Sequence, residues 1–184
     1  IRDDRYIIFE ADIRGIIENM DYFEFLNVEA LWLTPIQLSD SYHGYDIIDY
    51  RKIDTKFGSK NSPHAVDGEV THKSAMLDYI DLLQEAKLRD MKIIMDLVVN
   101  HTSINNTLFQ ESLSLNPEYR AYYHWVNHNN STVNQFWHPY STYDYSFYGK
   151  FASSMPELNY DYQATRDVMV DIMDYWSIIG VAGF

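Results

Sequence analysis

Residues 92–103 read KIIMDLVVNHTS and change character partway along. The part 92–99 is dominated by Ile, Met, Leu and Val, which predicts a strand that is covered on both faces. Asn100 and His101 follow where that strand ends. In α/β folds, polar side chains at the carboxyl ends of parallel strands face the functional site. The stretch therefore predicts an α/β fold with a site here, although a polar cap on a buried strand would produce the same pattern.

The rest of the chain alternates between strand and helix patterns. ALWLTPI at 30–36 predicts a short buried strand, and GVAGF at 180–184 predicts the start of another. Apolar residues at helical spacing predict a first helix over 13–26 and a third helix over about 164–179. Between them, a second helix is predicted to bury the face formed by Met76, Leu77, Ile80, Leu83 and Ala86. This alternation is typical of a parallel sheet with both faces covered.

Residues 102–154 interrupt the alternation, because they have no clean period and are rich in Asn, Ser, Tyr and Trp. A connection of this length is unusual inside a compact domain, so we expect a small inserted domain after a strand. Residues 37–44, which contain Ser, Asp and Gly, predict a polar loop, and the turn signals of 59–72 predict a surface insertion.

The composition excludes several classes of partner. The formal net charge is −13, so the surface repels phosphate backbones and nucleic acid is not expected as a partner. No apolar run approaches the roughly 20 residues needed to span a bilayer, so no membrane contact is expected in this segment. The chain has no cysteine, which leaves the compartment open. Its 16 tyrosines call for a role beyond core filling.

Two further motifs carry polar groups. In SYHGYD, residues 41–46, Gly44 permits a sharp turn with His43, Tyr45 and Asp46 around it, and a tyrosine ring offers a flat apolar face and a hydroxyl that suit a pyranose. MPELNYD, residues 155–161, adds hydrogen-bonding groups before the last helix. Taken singly, the first motif is explained better by a well-packed turn with buried tyrosines, and a loop with a helix start is enough to explain the second.

Together, these stretches resemble the α-amylase superfamily of glycoside hydrolases. DIRGIIENMDYFEFLNVEALWLTPI, YHGYDIIDYRKIDTKFG, MKIIMDLVVNHTS, MPELNYD and GVAGF occur in the order and spacing of that family, from Asp12 to Phe184. HGYD and DLVVNH are specific in combination, and MPELN resembles the family's fifth signature. The resemblance implies an α/β fold, a partial (β/α)₈ TIM barrel with an inserted domain B after the third strand.

The implied division of the chain has three parts. Residues 1–101 would form N-terminal β/α units of the barrel, 102–160 domain B, and 161–184 the third helix and the start of the fourth strand, leaving the barrel incomplete. The aromatic side chains of the inserted part would belong mostly to its core and partly to a sugar-facing surface. They are Phe109, Tyr119, Trp125, Trp137, Tyr143 and Tyr148.

The resemblance also implies roles for single residues. Tyr45 matches the tyrosine that stacks on the sugar at the cleavage subsite, and His43 matches a histidine that lines it. His101 matches the histidine that hydrogen-bonds the same sugar, and Asp96 matches a buried aspartate that orders nearby groups. Asn100 matches a calcium ligand of many α-amylases, so Ca²⁺ is the one cofactor to expect.

The implied function is hydrolysis of α-glucosidic bonds in starch-like glucans or malto-oligosaccharides by a retaining double displacement. Such enzymes need two carboxylates about 5–5.5 Å apart. In the family these carboxylates follow the fourth-strand GF, so we expect no catalytic residue in 1–184. We expect the chain alone to be inactive and to need the remainder of the same barrel.

Two alternatives stay open. A non-catalytic ectodomain of an amino-acid transporter heavy chain has the same fold. Tyr45 and His101 favour the enzyme, whereas Ala182, where the family usually has Asp, favours the non-catalytic relative. A stand-alone carbohydrate-binding fragment is disfavoured, because a partial barrel exposes edge strands and apolar helix faces.

Overall fold

The structure, a computed structural model, describes residues 12–114, 116–127, 134–140 and 144–184. The helices are α1 (Ile13–Glu18), α2 (Met20–Phe25), α3 (His72–Leu88), α4 (Thr107–Ser112), α5 (Pro117–Arg120) and α6 (Gln163–Ile179). The strands are β1 (Ala30–Leu33), β2 (Gln37–Ser39), β3 (Ile47–Ile53), β4 (Lys92–Met95), β5 (Trp125–Asn127), β6 (Trp137–Pro139) and β7 (Tyr145–Tyr148).

The described residues fall into two compact units. Unit 1 is drawn from Ile1–Leu38, Arg51–Asp96 and Tyr175–Phe184, and unit 2 from Ser39–Tyr50 and Leu97–Asp174. The domain boundaries after residues 101 and 160 that the sequence suggested stay predictions.

Unit 1 contains the parallel sheet that the sequence predicts. β1 and β4 pair in parallel, from Ala30 opposite Lys92 to Leu33 opposite Met95. Gly183 adds a parallel bridge to Ile94 on the other side of β4. The strands are shorter than predicted and GVAGF contributes only this bridge, so the described residues form no closed barrel.

The predicted helix over 13–26 is two helices, and Asn19 divides them. Asn19 ends α1 with φ −107° and ψ 11°, and its side-chain amide donates to the carbonyl of Gly15 at 2.7 Å. Asparagine side chains compete in this way with the helical backbone bonds. Asp12 caps α1 by accepting from the backbone N–H of Gly15, and Asn27 follows α2 with a left-handed φ of 55°.

The buried face of α3 differs from the predicted one. Met76, Leu77 and Ile80 are only half-buried. The residues that α3 buries most deeply among its large side chains are Tyr79 and Leu82, and Tyr79 packs edge-on against Trp176 with ring centroids 5.8 Å apart. Apolar residues cover much of the circumference of this helix, so their spacing alone does not select one stripe.

The sequence analysis did not predict β3, which pairs with β2 in a two-stranded sheet. The residues of these two strands are divided between the units. Ile47, Tyr50 and Ile53 are its buried residues. Their interval of three hides the alternation by two that marks a half-buried strand.

Unit 2 has a small aromatic core. β7 pairs with β5 and β6 on either side in an antiparallel sheet that the sequence did not predict. Phe109, from α4, is fully buried, and four rings surround it with centroids within 6.3 Å: Tyr123, Trp125, Tyr140 and Phe147. Tyr119, Trp125, Trp137 and Tyr148 are half-buried, and Tyr143 lies outside the described residues. Among the described residues, no helix has the length and apolar content needed to cross a bilayer.

In unit 1, the turn-rich segment 59–72 is fastened to α3 by Asp78, which is fully buried. Its carboxylate accepts from Ser62 Oγ at 2.5 Å and from the backbone N–H of Ser59 at 3.4 Å. Arg14 Nη1 lies 3.8 Å from the same carboxylate and 2.7 Å from that of Asp81. The segment is therefore partly buried rather than a free surface loop.

We expect Asp78→Ala to lower the free energy of unfolding by about 2 kcal/mol, because it leaves buried donors without an acceptor. Equilibrium unfolding in urea measures this change. Glu69→Gln, an exposed carboxylate in the same segment, is the matched control and should leave stability unchanged. Equal stability of both variants would contradict the fastening role of Asp78.

Candidate functional site

Unit 2 contains the SYHGYD turn, which is closed by its own side chains. Gly44 has a left-handed φ of 82°, as a glycine at this position predicts. The carboxylate of Asp46 is buried and accepts from both the backbone N–H and the hydroxyl of Ser41. His43 Nδ1 lies 2.9 Å from Ser41 Oγ and 3.1 Å from the backbone nitrogen of Tyr45. The turn is therefore held in one conformation.

His101 connects this turn to the end of the DLVVNH motif. Its side chain is only 6% exposed, and Nε2 lies 2.9 Å from the backbone carbonyl oxygen of Tyr45. A carbonyl oxygen only accepts, so Nε2 carries the proton. Nδ1 of the neutral ring can then accept from the side-chain amide of Asn100, 3.4 Å away. Both ring nitrogens thus have partners in the chain.

A short antiparallel ladder adds the MPELN motif. The backbone N–H of Thr102 donates to the carbonyl oxygen of Pro156 at 3.1 Å, and that of Leu158 donates to the backbone carbonyl oxygen of Asn100 at 3.0 Å. These two bonds flank the opposed residues His101 and Glu157. In such a pair, which exchanges no hydrogen bond itself, the side chains lie close together on one face. Three separate sequence motifs therefore meet at His101.

Burial lowers the pKa of His101 below its ordinary value of 6.5. The hydrogen bond to Tyr45 and the charges of Glu157 and Asp46 act in the opposite direction, and His43 adds to the lowering. One carboxylate oxygen of Glu157, Oε2, is buried with no hydrogen-bond partner among the described residues. The surroundings therefore favour a neutral imidazole near pH 7.

Exposed rings lie beside this buried histidine. Tyr45 is 38% exposed, and its ring centroid is 5.9 Å from that of His43. Phe151 is 65% exposed, and its ring centroid lies 5.2 Å from that of His101. Sequence reasoning missed Phe151, because GKFASS has no periodicity and matches no motif.

The predicted site residues are divided between the units. His43, Tyr45, Asn100 and His101 all belong to unit 2, where hydrogen bonds and ring contacts connect them. Asp96 belongs to unit 1, where it is half-buried and its backbone N–H donates to the carbonyl of Leu33 at 3.0 Å. The roles that the family resemblance implies for these five residues stay predictions.

The role of Asn100 as a calcium ligand stays a prediction. Ca²⁺ takes six to eight oxygen ligands. The one group of three or more His, Asp or Glu side chains at metal-binding spacing among the described residues is His64, Asp78 and Asp81, in unit 1. The guanidinium of Arg14 already pairs with both of those carboxylates.

Unit 1 has the parallel strands and covering helices of an α/β protein, and unit 2 displays rings and imidazoles suited to a small polar ligand. Comparison with known proteins identifies the family. The family model described as the alpha amylase catalytic domain matches residues 9–184, and the chain belongs to that family.

The relatives are named as carbohydrate-active enzymes. The chain is 38% identical over 175 residues to Alpha-amylase 3 of Dictyoglomus thermophilum, covering 95% of the chain and 32% of that protein. It is 35% identical over 186 residues to an oligo-1,6-glucosidase of Bacillus sp. (strain F5), covering 95% and 33%. The crystal structure of Bacillus licheniformis trehalose-6-phosphate hydrolase matches with a TM-score of 0.80 at 32% identity, covering 94% and 30%. The chain thus spans about a third of the length of these relatives.

We expect the stability of the protein to fall as the pH drops below about 6.5. Because the pKa of His101 is lower in the folded state than in the unfolded state, the unfolded state binds the proton more readily there. The contribution of His101 is complete above pH 6.5 and is lost as the pH falls through its folded-state pKa. His101→Gln, which keeps an N–H donor but does not titrate, should flatten this dependence. The free energy of unfolding, measured at a series of pH values, gives this dependence. The same slope of unfolding free energy against pH in the variant and the wild type would contradict the role of His101.

Proposed function

We propose that the protein carrying this chain is a glycoside hydrolase that cleaves α-glucosidic bonds of starch-like glucans or malto-oligosaccharides with retention of configuration. In this proposal, the chain supplies the first β/α units of a (β/α)₈ barrel, with 102–160 as domain B. The observation that carries the proposal is the joining of Tyr45, His43 and His101 in one hydrogen-bonded cluster with exposed rings.

The chemistry of the cluster suits a neutral sugar. A hexose presents an apolar face of C–H groups, which pack against an aromatic ring, and a rim of hydroxyls, which need hydrogen-bond partners. Tyr45 offers a partly exposed ring and a phenol hydroxyl. The relatives named as an amylase, an oligo-1,6-glucosidase and a trehalose-6-phosphate hydrolase differ in substrate, which is why the proposal stays with the α-glucosidic bond and the linkage is left to experiment.

The two cleaving carboxylates are proposed to come from parts of the barrel outside 1–184. Asp46 is a poor candidate, because its carboxylate is buried and already accepts two hydrogen bonds from Ser41. Glu157 has one buried oxygen without a partner, which a substrate cannot reach without rearrangement. His101 and Tyr45 would thus bind and orient the sugar and leave bond cleavage to other groups.

The test is the release of glucose from maltotriose and isomaltotriose by the complete protein, with the anomer of the first product followed by proton NMR. Retention predicts that the α-anomer is formed first. Formation of the β-anomer would refute the retaining mechanism, and the absence of hydrolysis in a folded protein would favour the non-catalytic relative.

Tyr45→Ala should lower kcat/KM by about tenfold, the loss expected for ~1.4 kcal/mol of ring contact with the sugar. Tyr45→Phe keeps the ring and should stay close to the wild-type value. The backbone carbonyl that pairs with His101 is present in both variants, so the comparison isolates the side chain. Wild-type kinetics in Tyr45→Ala would exclude this tyrosine from the site.

Calcium binding at Asn100 also stays a proposal. If such a site forms in the complete protein, adding Ca²⁺ to chelator-treated protein should raise the melting temperature. Asn100→Ala should abolish that increase. An identical increase in the variant would place any calcium site elsewhere.

A further inference from the structure

Two segments of unit 2 lie side by side, the SYHGYD turn with the start of β3 and the chain from His101 onward. His101 Nε2 donates to the carbonyl oxygen of Tyr45 at 2.9 Å, and the backbone N–H of Ser103 donates to the carbonyl oxygen of Ile47, also at 2.9 Å. The side-chain amide of Asn106 extends this pairing by donating to the same Ile47 oxygen at 3.3 Å. The place of the imidazole relative to Tyr45 therefore depends on the register between the two segments.

Asp40, which lies directly after β2, connects the two segments through its side chain. Asp40 is exposed, yet its carboxylate accepts from the hydroxyl of Ser103, a fully buried residue. It also accepts from the side-chain amide of Asn105, whose nitrogen lies 3.1 and 3.0 Å from the two carboxylate oxygens. The Ser103 hydroxyl in turn accepts from the backbone N–H of Asn105 at 2.9 Å. One exposed carboxylate is thus the acceptor for two side chains of the segment that follows His101.

The backbone of Asp40 is held by the turn itself. Its N–H donates to the carbonyl oxygen of Asp46 at 3.3 Å, and Asp46 directly follows Tyr45 in the chain. The contacts therefore form a closed ring: the Asp40 carboxylate binds Ser103, two residues beyond His101, and His101 binds Tyr45 beside Asp46. Breaking this ring at Asp40 removes one of the bonds that prevent the two segments from sliding past each other.

We propose that Asp40 is a positioning residue that keeps His101 in register with Tyr45 and so fixes the geometry in which the cluster binds sugar. This inference rests on the proposed function and adds to its site a residue that touches no sugar. Asp40 acts through Ser103, because without the carboxylate the buried hydroxyl loses its acceptor. A displacement of about 1 Å at a binding group is enough to weaken binding, since hydrogen bonds depend steeply on distance and angle.

The experiment compares Asp40→Ala and Asp40→Asn with the wild type in the complete protein, using p-nitrophenyl α-D-glucopyranoside and maltotriose. In Asp40→Ala, KM should rise about tenfold on both substrates with kcat within about twofold of wild type, because His101 binds the sugar and does not cleave it. A purely structural loss would instead lower kcat and leave KM unchanged, since unfolded molecules only reduce the amount of active enzyme.

Asp40→Asn is the conservative variant that should rescue binding. Its amide oxygen still accepts from the Ser103 hydroxyl, and its amide nitrogen can donate to Asn105 once that side chain turns its own oxygen inward. KM should therefore return to within about threefold of the wild-type value. A KM as high as that of Asp40→Ala would overturn the inference, because the acceptor for Ser103 would be present without effect.

A double-mutant cycle tests whether Asp40 acts through Ser103. Ser103→Ala removes the hydroxyl and should also raise KM. In the double variant, KM should rise by much less than the product of the two single effects, because both substitutions break the same contact. Single effects that multiply in full would show that the two residues act independently, which would overturn the inference.

Asp167→Ala is the matched control. Asp167 is an exposed residue of unit 2, and its carboxylate accepts from the side-chain amide of Gln163 at 2.6 Å within α6. Its loss should leave both kinetic constants unchanged. A wild-type KM in Asp40→Ala, or a fall in kcat alone, would overturn the inference while leaving the proposed function intact. A folded wild-type protein that hydrolyses neither substrate would overturn the proposed function itself.

Discussion

The candidate site depends on one buried contact, the hydrogen bond from His101 Nε2 to the backbone carbonyl of Tyr45. It joins the end of the DLVVNH motif to the turn that precedes β3. The flanking ladder, Thr102 to Pro156 and Leu158 to Asn100, prevents His101 from shifting along its own segment. Because the imidazole is buried and has a partner at each nitrogen, the geometry of the contact is fixed, and burial favours the neutral ring.

In this arrangement, the groups that hold the turn in place are buried, and the aromatic residues beside them are exposed. The buried groups, His101 and the carboxylate of Asp46, form their hydrogen bonds inside unit 2. The groups left at the surface are rings, Tyr45 and Phe151. Ring faces bind apolar C–H surfaces without strict direction, whereas the buried hydrogen bonds require one geometry. A firm polar frame below exposed rings suits a ligand that has both an apolar face and a hydroxyl rim.

Much of this could be predicted from local patterns. The parallel pairing of β1 and β4, the extent of α6 and the residues that cap α1 follow from apolar runs, helical spacing and the chemistry of Asp12. The patterns failed where local signals were equivocal. Asn19 divides a helix whose apolar spacing is continuous, and β3 buries residues three apart. Phe151 had no local signal, since the ring that it contacts belongs to a residue fifty positions away.

The sequence by itself determined the family, the alternation of β1, α3, β4 and α6, and the residue types available for the candidate site, because each is encoded in motifs and spacing along the chain. Only the tertiary structure decided which of those residues meet. His101 and Tyr45 are 56 positions apart, and Glu157 lies opposite His101 from a third motif. Such contacts depend on backbone pairing between distant segments, and no local property of either segment specifies its partner.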